Sequence, residues 1–536
     1  MSVPSSIIYI LSGVPMNNSY EHTLYFETKA EQEQYFRAKE YRTYERFTYL
    51  RPEHKIKLAG MIANAQKWNY LMYQNDDGKW FYHFITRVEY VGESTVELSL
   101  ELDVIQTYMF DWDLHPCFIE RTHTKTDEFG EHTVPEGLET GPLVRFSSHE
   151  INLEDNVIMV AMSTNLNGGN AWGAMYGGVY SGLNIYAVLP SDLNSFNEWL
   201  TNASIEGYVE AIVSMWMYPK ELVTVSDDWE GADCLHKVSA VNQNIEETAS
   251  DPFSEDGVDV VDNFIVHNKK CLCYPYTMIY VSNNMGGCAV YHRERFKGNT
   301  DYTFRVLGAL SPDSGCQLIP KNYKGALFNY EEGLSIPAFP SCAWNSDTYK
   351  VWLAQNQNQH ETAIQQAKVQ AVVSGVTAIG GIVASAATMN PLGMGGSFMG
   401  GMAGMLSAQN QIESLMAQRA DMAIQPDQAR GNHSGNINLT HARMGYSVNF
   451  MCITKEYIQK IDEYFTRFGY RVNEYAKPSL CNREVFTYIK TVGAYVTGDM
   501  PTEYQLKIQA IFDKGVTFWA DKRNVGSCYW PNDPIA

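Results

Sequence analysis

The chain has 536 residues and a formal net charge of −21 at pH 7, long enough for roughly two to four domains with a sizeable core. Its 61 acidic against 40 basic residues argue against a protein that grips nucleic acid, because phosphate contacts need Lys and Arg in excess. The same balance suits a wall that nucleic acid must pass without sticking, since like charge repels the strand.

The amino-terminal stretch MSVPSSIIYILSGVP has no basic leading region, and its apolar run is only IIYIL, so it reads as a strand. The first third is β throughout. The run Lys79 to Val91 is one strand and turns through Gly92 and Glu93 into the next, where Val96, Leu98, Leu100, Leu102 and Val104 alternate with Glu97, Ser99, Glu101 and Asp103. Period two places the apolar side chains on one face and the carboxylates of Glu97, Glu101 and Asp103 on the other. That acidic face is either ordinary solvation or the lining of a channel.

The middle, about Ser147 to Pro340, mixes strand-like runs with Gly- and Asn-rich loops. Asn167 to Gly182 is glycine-rich but lacks the GK[ST] of a phosphate loop. The acidic segment Ile245 to Asp262 lacks calcium-loop spacing and reads as a solvated loop. Cys271 to Phe296 reads as two strands around an Asn-Asn-Met-Gly-Gly turn. The ten cysteines are scattered; Cys271 and Cys273 form a lone CxC with no CxxC partner and no His at finger spacing, so buried free thiols are expected rather than zinc. No catalytic constellation, metal set or cofactor motif emerges, and no enzyme activity is expected.

From about Asn345 the pattern changes. Ser346 or Asn345 can cap a helix carrying Tyr349, Trp352, Leu353, Ile364 and Ala367 at helical spacing, and a second helix carries Ile412, Leu415, Met416 and Met422 before Pro426 ends it. Between them, Val369 to Leu406 contains no charged side chain. Its first arm, with Val369, Val372, Val373, Val376, Ile379, Ile382 and Val383, would span roughly 28 Å as a helix at about 1.5 Å per residue, close to the hydrocarbon thickness of a bilayer. Asn390-Pro391 breaks it after Met389. A second arm carries Leu392, Met394, Phe398, Met399, Met402, Met405 and Leu406 among glycines. Small residues supply little insertion energy each, and the methionines adapt to irregular apolar surroundings, so the hairpin reads as membrane-competent and mobile. A further helix is expected over Ile453 to Gly469, within short strands. The fold class expected is mainly β (α+β), with a helix–hydrophobic loop–helix insertion.

Three stretches carry a family resemblance: Lys79 to Val91 with ELDVIQTYMFDW (Glu101 to Trp112) and CFIERTH (Cys117 to His123); YFTRFGYRVNEYAKPSL (Tyr464 to Leu480) with REVFTYIKT (Arg483 to Thr491); and AIFDKGVTFW (Ala510 to Trp519). In this order they resemble the tail knob (distal tail tube) proteins of small Picovirinae-like podophages. The chain departs from that family by its shorter middle. The resemblance implies a virion protein of the tail tip, assembled in the host cytoplasm, whose β-sheets close into a tube of six copies. It implies a tube domain over 1–146, a distal knob region over 147–340, the insertion over 341–430 and the rest of the tube domain over 431–536. It implies partners as well: copies of itself, other tail and collar proteins, a tail-tip cell-wall hydrolase, genomic DNA passing through the lumen, and transiently the host membrane. The hydrophobic loops would plug the lumen and then form a pore. A receptor-binding adhesin, with the aromatic-rich middle holding cell-wall sugar and the hairpin as mere core, is the alternative.

Overall fold

The computed structural model describes residues 6–47, 54–75, 78–153, 155–162, 175–176, 179–180, 183–206, 212–229, 233–241, 245–255, 258–298, 301–309, 314–339, 444–527 and 531–535. The expected hairpin Val369 to Leu406 and both of its flanking helices lie outside these residues. The chain forms two compact units. One comprises Met1–Pro142, Phe253–Tyr276 and Ile453–Ala536; the other comprises Leu143–Pro252 and Thr277–Cys452.

The first unit begins with β1 (Ser6–Ser12), β2 (His22–Leu24), helix α1 (Lys29–Arg37), β3 (Glu40–Phe47), β4 (Lys55–Ala59), the single turn α2 (Ile62–Ala65), β5 (Trp68–Gln74), β6 (Trp80–Gly92), β7 (Thr95–Leu102), α3 (Val104–Tyr108), β8 (Trp112–Leu114) and β9 (Cys117–Thr122). Six of these strands make one sheet in the order β3-β1-β5-β6-β7-β4. Both faces of this sheet are covered. Ile8, Ile10, Ile56, Leu58, Leu71, Val96, Leu98 and Leu100 pack together on one side. Tyr70, Met72, Tyr82, Phe84 and Leu102 join a second core with Phe36 of α1. Helix α1 starts where Thr28 accepts a hydrogen bond from the Glu31 N–H at 3.2 Å, with Glu31 in its first turn and Arg37 in its last, as the helix dipole favours. Its Phe36 ring stacks on Tyr70, with centroids 5.3 Å apart.

The second unit is also β-rich. Asn156–Met162 is buried at every position and sits inside a five-stranded sheet, between Ile212–Pro219 and Asn184–Val188. Two four-stranded sheets follow, one built on Asp301–Gly308 and one pairing Thr277–Ser282 with Gly445–Ile453. Helix α4 (Leu193–Glu206) buries Phe196 and Leu200.

The chain then returns to the first unit. Helix α5 (Lys455–Phe468) buries Ile458, Ile461 and Phe465, and Gly469 ends it at φ 64°, where an added Cβ would lie 2.3 Å from the Thr122 carbonyl oxygen. The strands Tyr470–Ala476, Phe486–Val492 and Val516–Trp519 complete a five-stranded sheet with β9 and β2, in which Val516–Trp519 runs parallel to β2. Helix α6 (Thr502–Lys514) packs Ile508, Ile511 and Phe512 into the same core.

The structure is therefore mainly β: strands run over 80–92 and 95–102 against the expected 79–91 and 96–104, the hairpin expected within 271–296 spans 277–291, and the α5 helix is present. Two expectations need correcting. The acidic segment Ile245 to Asp262 is not a loop but contains the strands Ile245–Ser250, Ser254–Glu255 and Val258–Val261; Ile245 and Ala249 pair opposite Val306 and Tyr302, and that cross-strand packing outweighs the acidic composition. The carboxyl-terminal part holds two helices, not one, because Pro501 and Gly515 bracket α6. Of the two compact units, Phe253–Tyr276 belongs to the first, whereas Gly445–Cys452 pairs within the second.

Candidate functional site: an acidic strand face and a buried charge cluster

On β7, Val96, Leu98, Leu100 and Leu102 are buried, while Glu97, Ser99 and Glu101 face the other way and are half-buried. Glu97 lies across from Lys57 of β4 and is gripped by Lys55 at 3.2 Å and Lys57 at 3.5 Å. The hydrogen bond and charge of Lys55, then of Lys57, hold its carboxyl below the usual carboxylate range. Glu101 pairs with Lys507 of α6 at 2.7 Å and accepts from the Asn18 amide at 2.8 Å. Burial pushes Glu101 up, but Lys507 and Asn18 outweigh it, and the net shift is downward. The face thus carries its own counter-charges rather than bare carboxylates.

Asp103 does not belong to this face. The strand ends at Leu102, and Asp103 is fully buried as the N-cap of α3, accepting from the Gln106 N–H at 3.1 Å and the Tyr70 hydroxyl at 2.8 Å. Burial pushes its carboxyl up to about 6, against the lowering effect of those donors. Capping a helix inside the core takes it out of the alternation, so a lumen-facing role for Asp103 is corrected here.

A second carboxylate group was not foreseen from the sequence. Glu136, whose side chain is 1% exposed, receives hydrogen bonds from the Arg121 guanidinium and the Lys270 ammonium, and from the Arg471 N–H at 2.9 Å. Burial and then the neighbouring Arg121 push Lys270 down to about 7, and the Glu136 carboxylate is the anion it meets there. On α5, the buried Asp462 accepts from the N–H groups of His267 and Asn268 at 3.2 and 2.9 Å, from the Asn268 amide at 3.0 Å and from His267 Nδ1 at 2.9 Å. Glu136 and Asp462 together tie Phe253–Tyr276 into the first unit.

His267 and Asp462 open onto a cleft of about 540 Å³ that Asp127, Arg467 and Arg483 also line. His123 lines it too, but its ring is closed on both sides: Nδ1 accepts from the Tyr488 N–H at 2.8 Å and Nε2 donates to the Thr466 carbonyl at 3.1 Å. Burial, then Arg483, pushes His123 down to about 3, so it stays neutral. Cys271 and Cys273 are buried free thiols, and burial followed by the Asp462 charge drives Cys271 well up. Among the described residues no group of three or more His, Cys, Asp or Glu side chains is placed to hold a metal, and no helix is long and apolar enough to cross a membrane. The plug and membrane residues expected from Val369 through Val383, Met389, and Leu392 through Leu406 lie outside the described residues.

The fold as a whole has a known counterpart. It matches the tail knob protein gp12 of bacteriophage C1 with a TM-score of 0.65 at 15% identity, covering 99% of this chain and 100% of that one. Residues 4–113, which hold the six-stranded sheet, match the model of the Caudoviral major tail protein N-terminus. These define the class, a structural protein of a phage tail. Residues 239–530, more than half of the chain, match the model of the C-terminal domain of the Bacillus phage phi29 tail knob protein gp9, and the chain belongs to that family. It is similar along nearly its whole length to tail knob protein gp9 of Bacillus phage phi29, 24% identical and covering 96% of each chain, and to that of Bacillus phage B103, 25% identical with the same coverage. The protein is accordingly a component of the virion tail.

Proposed function

We propose that copies of this chain assemble as a homohexameric tail knob, a tube for DNA passage whose uncharged segments Val369 to Leu406 plug the lumen and then enter the host membrane as a pore during genome ejection. The observation that carries this reading is the segment itself: no charged side chain from Val369 to Leu406 in a chain that belongs to the tail knob family. One such hairpin exposed on a monomer invites aggregation, whereas several stored together bury their apolar area at about 25 cal/mol per Å². In the first unit amino- and carboxyl-terminal strands share one sheet, which suits a tube wall. Glu97 and Glu101 are proposed for the lumen side, where their partner lysines keep the wall close to neutral. No bond is made or broken, so the reading assigns no catalytic residue. The other partners proposed are neighbouring tail and collar proteins and a tail-tip cell-wall hydrolase.

Dye release from liposomes tests the pore. The purified protein should permeabilise vesicles, and deletion of residues 369–406 should abolish release while negative-stain images still show hollow rings. Undiminished leakage from the deletion variant refutes the assignment, and the absence of any ring refutes the tube.

A further inference from the structure

We draw no further inference here: the strongest candidate, the row of exposed apolar side chains Tyr475, Phe118 and Val492 that three neighbouring strands present on one face of the five-stranded sheet, carries nothing because nothing in the structure shows what covers it.

Discussion

Glu97 and Glu101 on β7 and Glu136 beside α5 are all carboxylates paired with basic side chains, yet they do different physical work. Glu97 and Glu101 meet lysines that are a third to a half exposed, at distances of 2.7 to 3.5 Å, where water screens the charges. Glu136 meets Arg121 and Lys270 with side chains 9% and 4% exposed, where water is excluded and their other partners are backbone carbonyls and aromatic faces. The first arrangement sets the potential of a surface. The second fixes where a distant segment of chain must lie. The same residue type thus tunes a field when half-exposed and locks a topology when buried.

The sharpest way to break this contrast is at Glu136. Glu136→Ala leaves Arg121 and Lys270 buried without a carboxylate and should cost about 3–5 kcal/mol, read by urea denaturation. A loss below about 1 kcal/mol would place the cluster with the surface pairs.

Asp103 gives the next largest effect and has the opposite sign of pH dependence from a salt-bridged acid. Its folded pKa, raised to about 6, lies above the ordinary aspartate value, so between about pH 4 and 6 the folded state holds more protons than the unfolded one. Its contribution is present at low pH and is lost as pH rises through 6, by up to about 3 kcal/mol at about 1.36 kcal/mol per pH unit. Asp103→Asn can still cap α3 and accept from Tyr70. Subtracting the variant's denaturation profile from that of the wild type should therefore leave a downward slope in that window; a flat difference would mean that Asp103 is solvated in the native state.

The smallest effect is at the strand face. Glu101→Gln removes the partly exposed pair with Lys507 and should cost less than about 1 kcal/mol, shrinking further when salt is raised to about 1 M, where the Debye length is about 3 Å. A salt-independent loss of several kcal/mol would show that this pair is as desolvated as the one at Glu136.

Much of the local structure was legible. Strict alternation from Val96 to Leu102 marks a one-sided strand, and Ile458, Ile461 and Phe465 at helical spacing mark α5. Helix α6 was missed although Pro501 and Gly515 bracket it, because its apolar positions Ile508, Ile511 and Phe512 sit beside the strand-like run Val516–Trp519. The Glu136 cluster left no local signal. Its members Arg121, Glu136, Lys270 and Arg471 are far apart in the chain, and each alone reads as an ordinary surface charge.

The sequence by itself determined the acidic balance, the β-rich class, the family resemblance and the uncharged stretch Val369 to Leu406, because composition and short-period patterns are properties of neighbouring residues. Only the tertiary structure decided that Asp103 leaves the acidic face to cap a buried helix and that Phe253–Tyr276 crosses back into the first unit. The physical reason is that burial and long-range pairing depend on which segments meet in space, and that meeting sets whether a charge is screened by water or paired in the core.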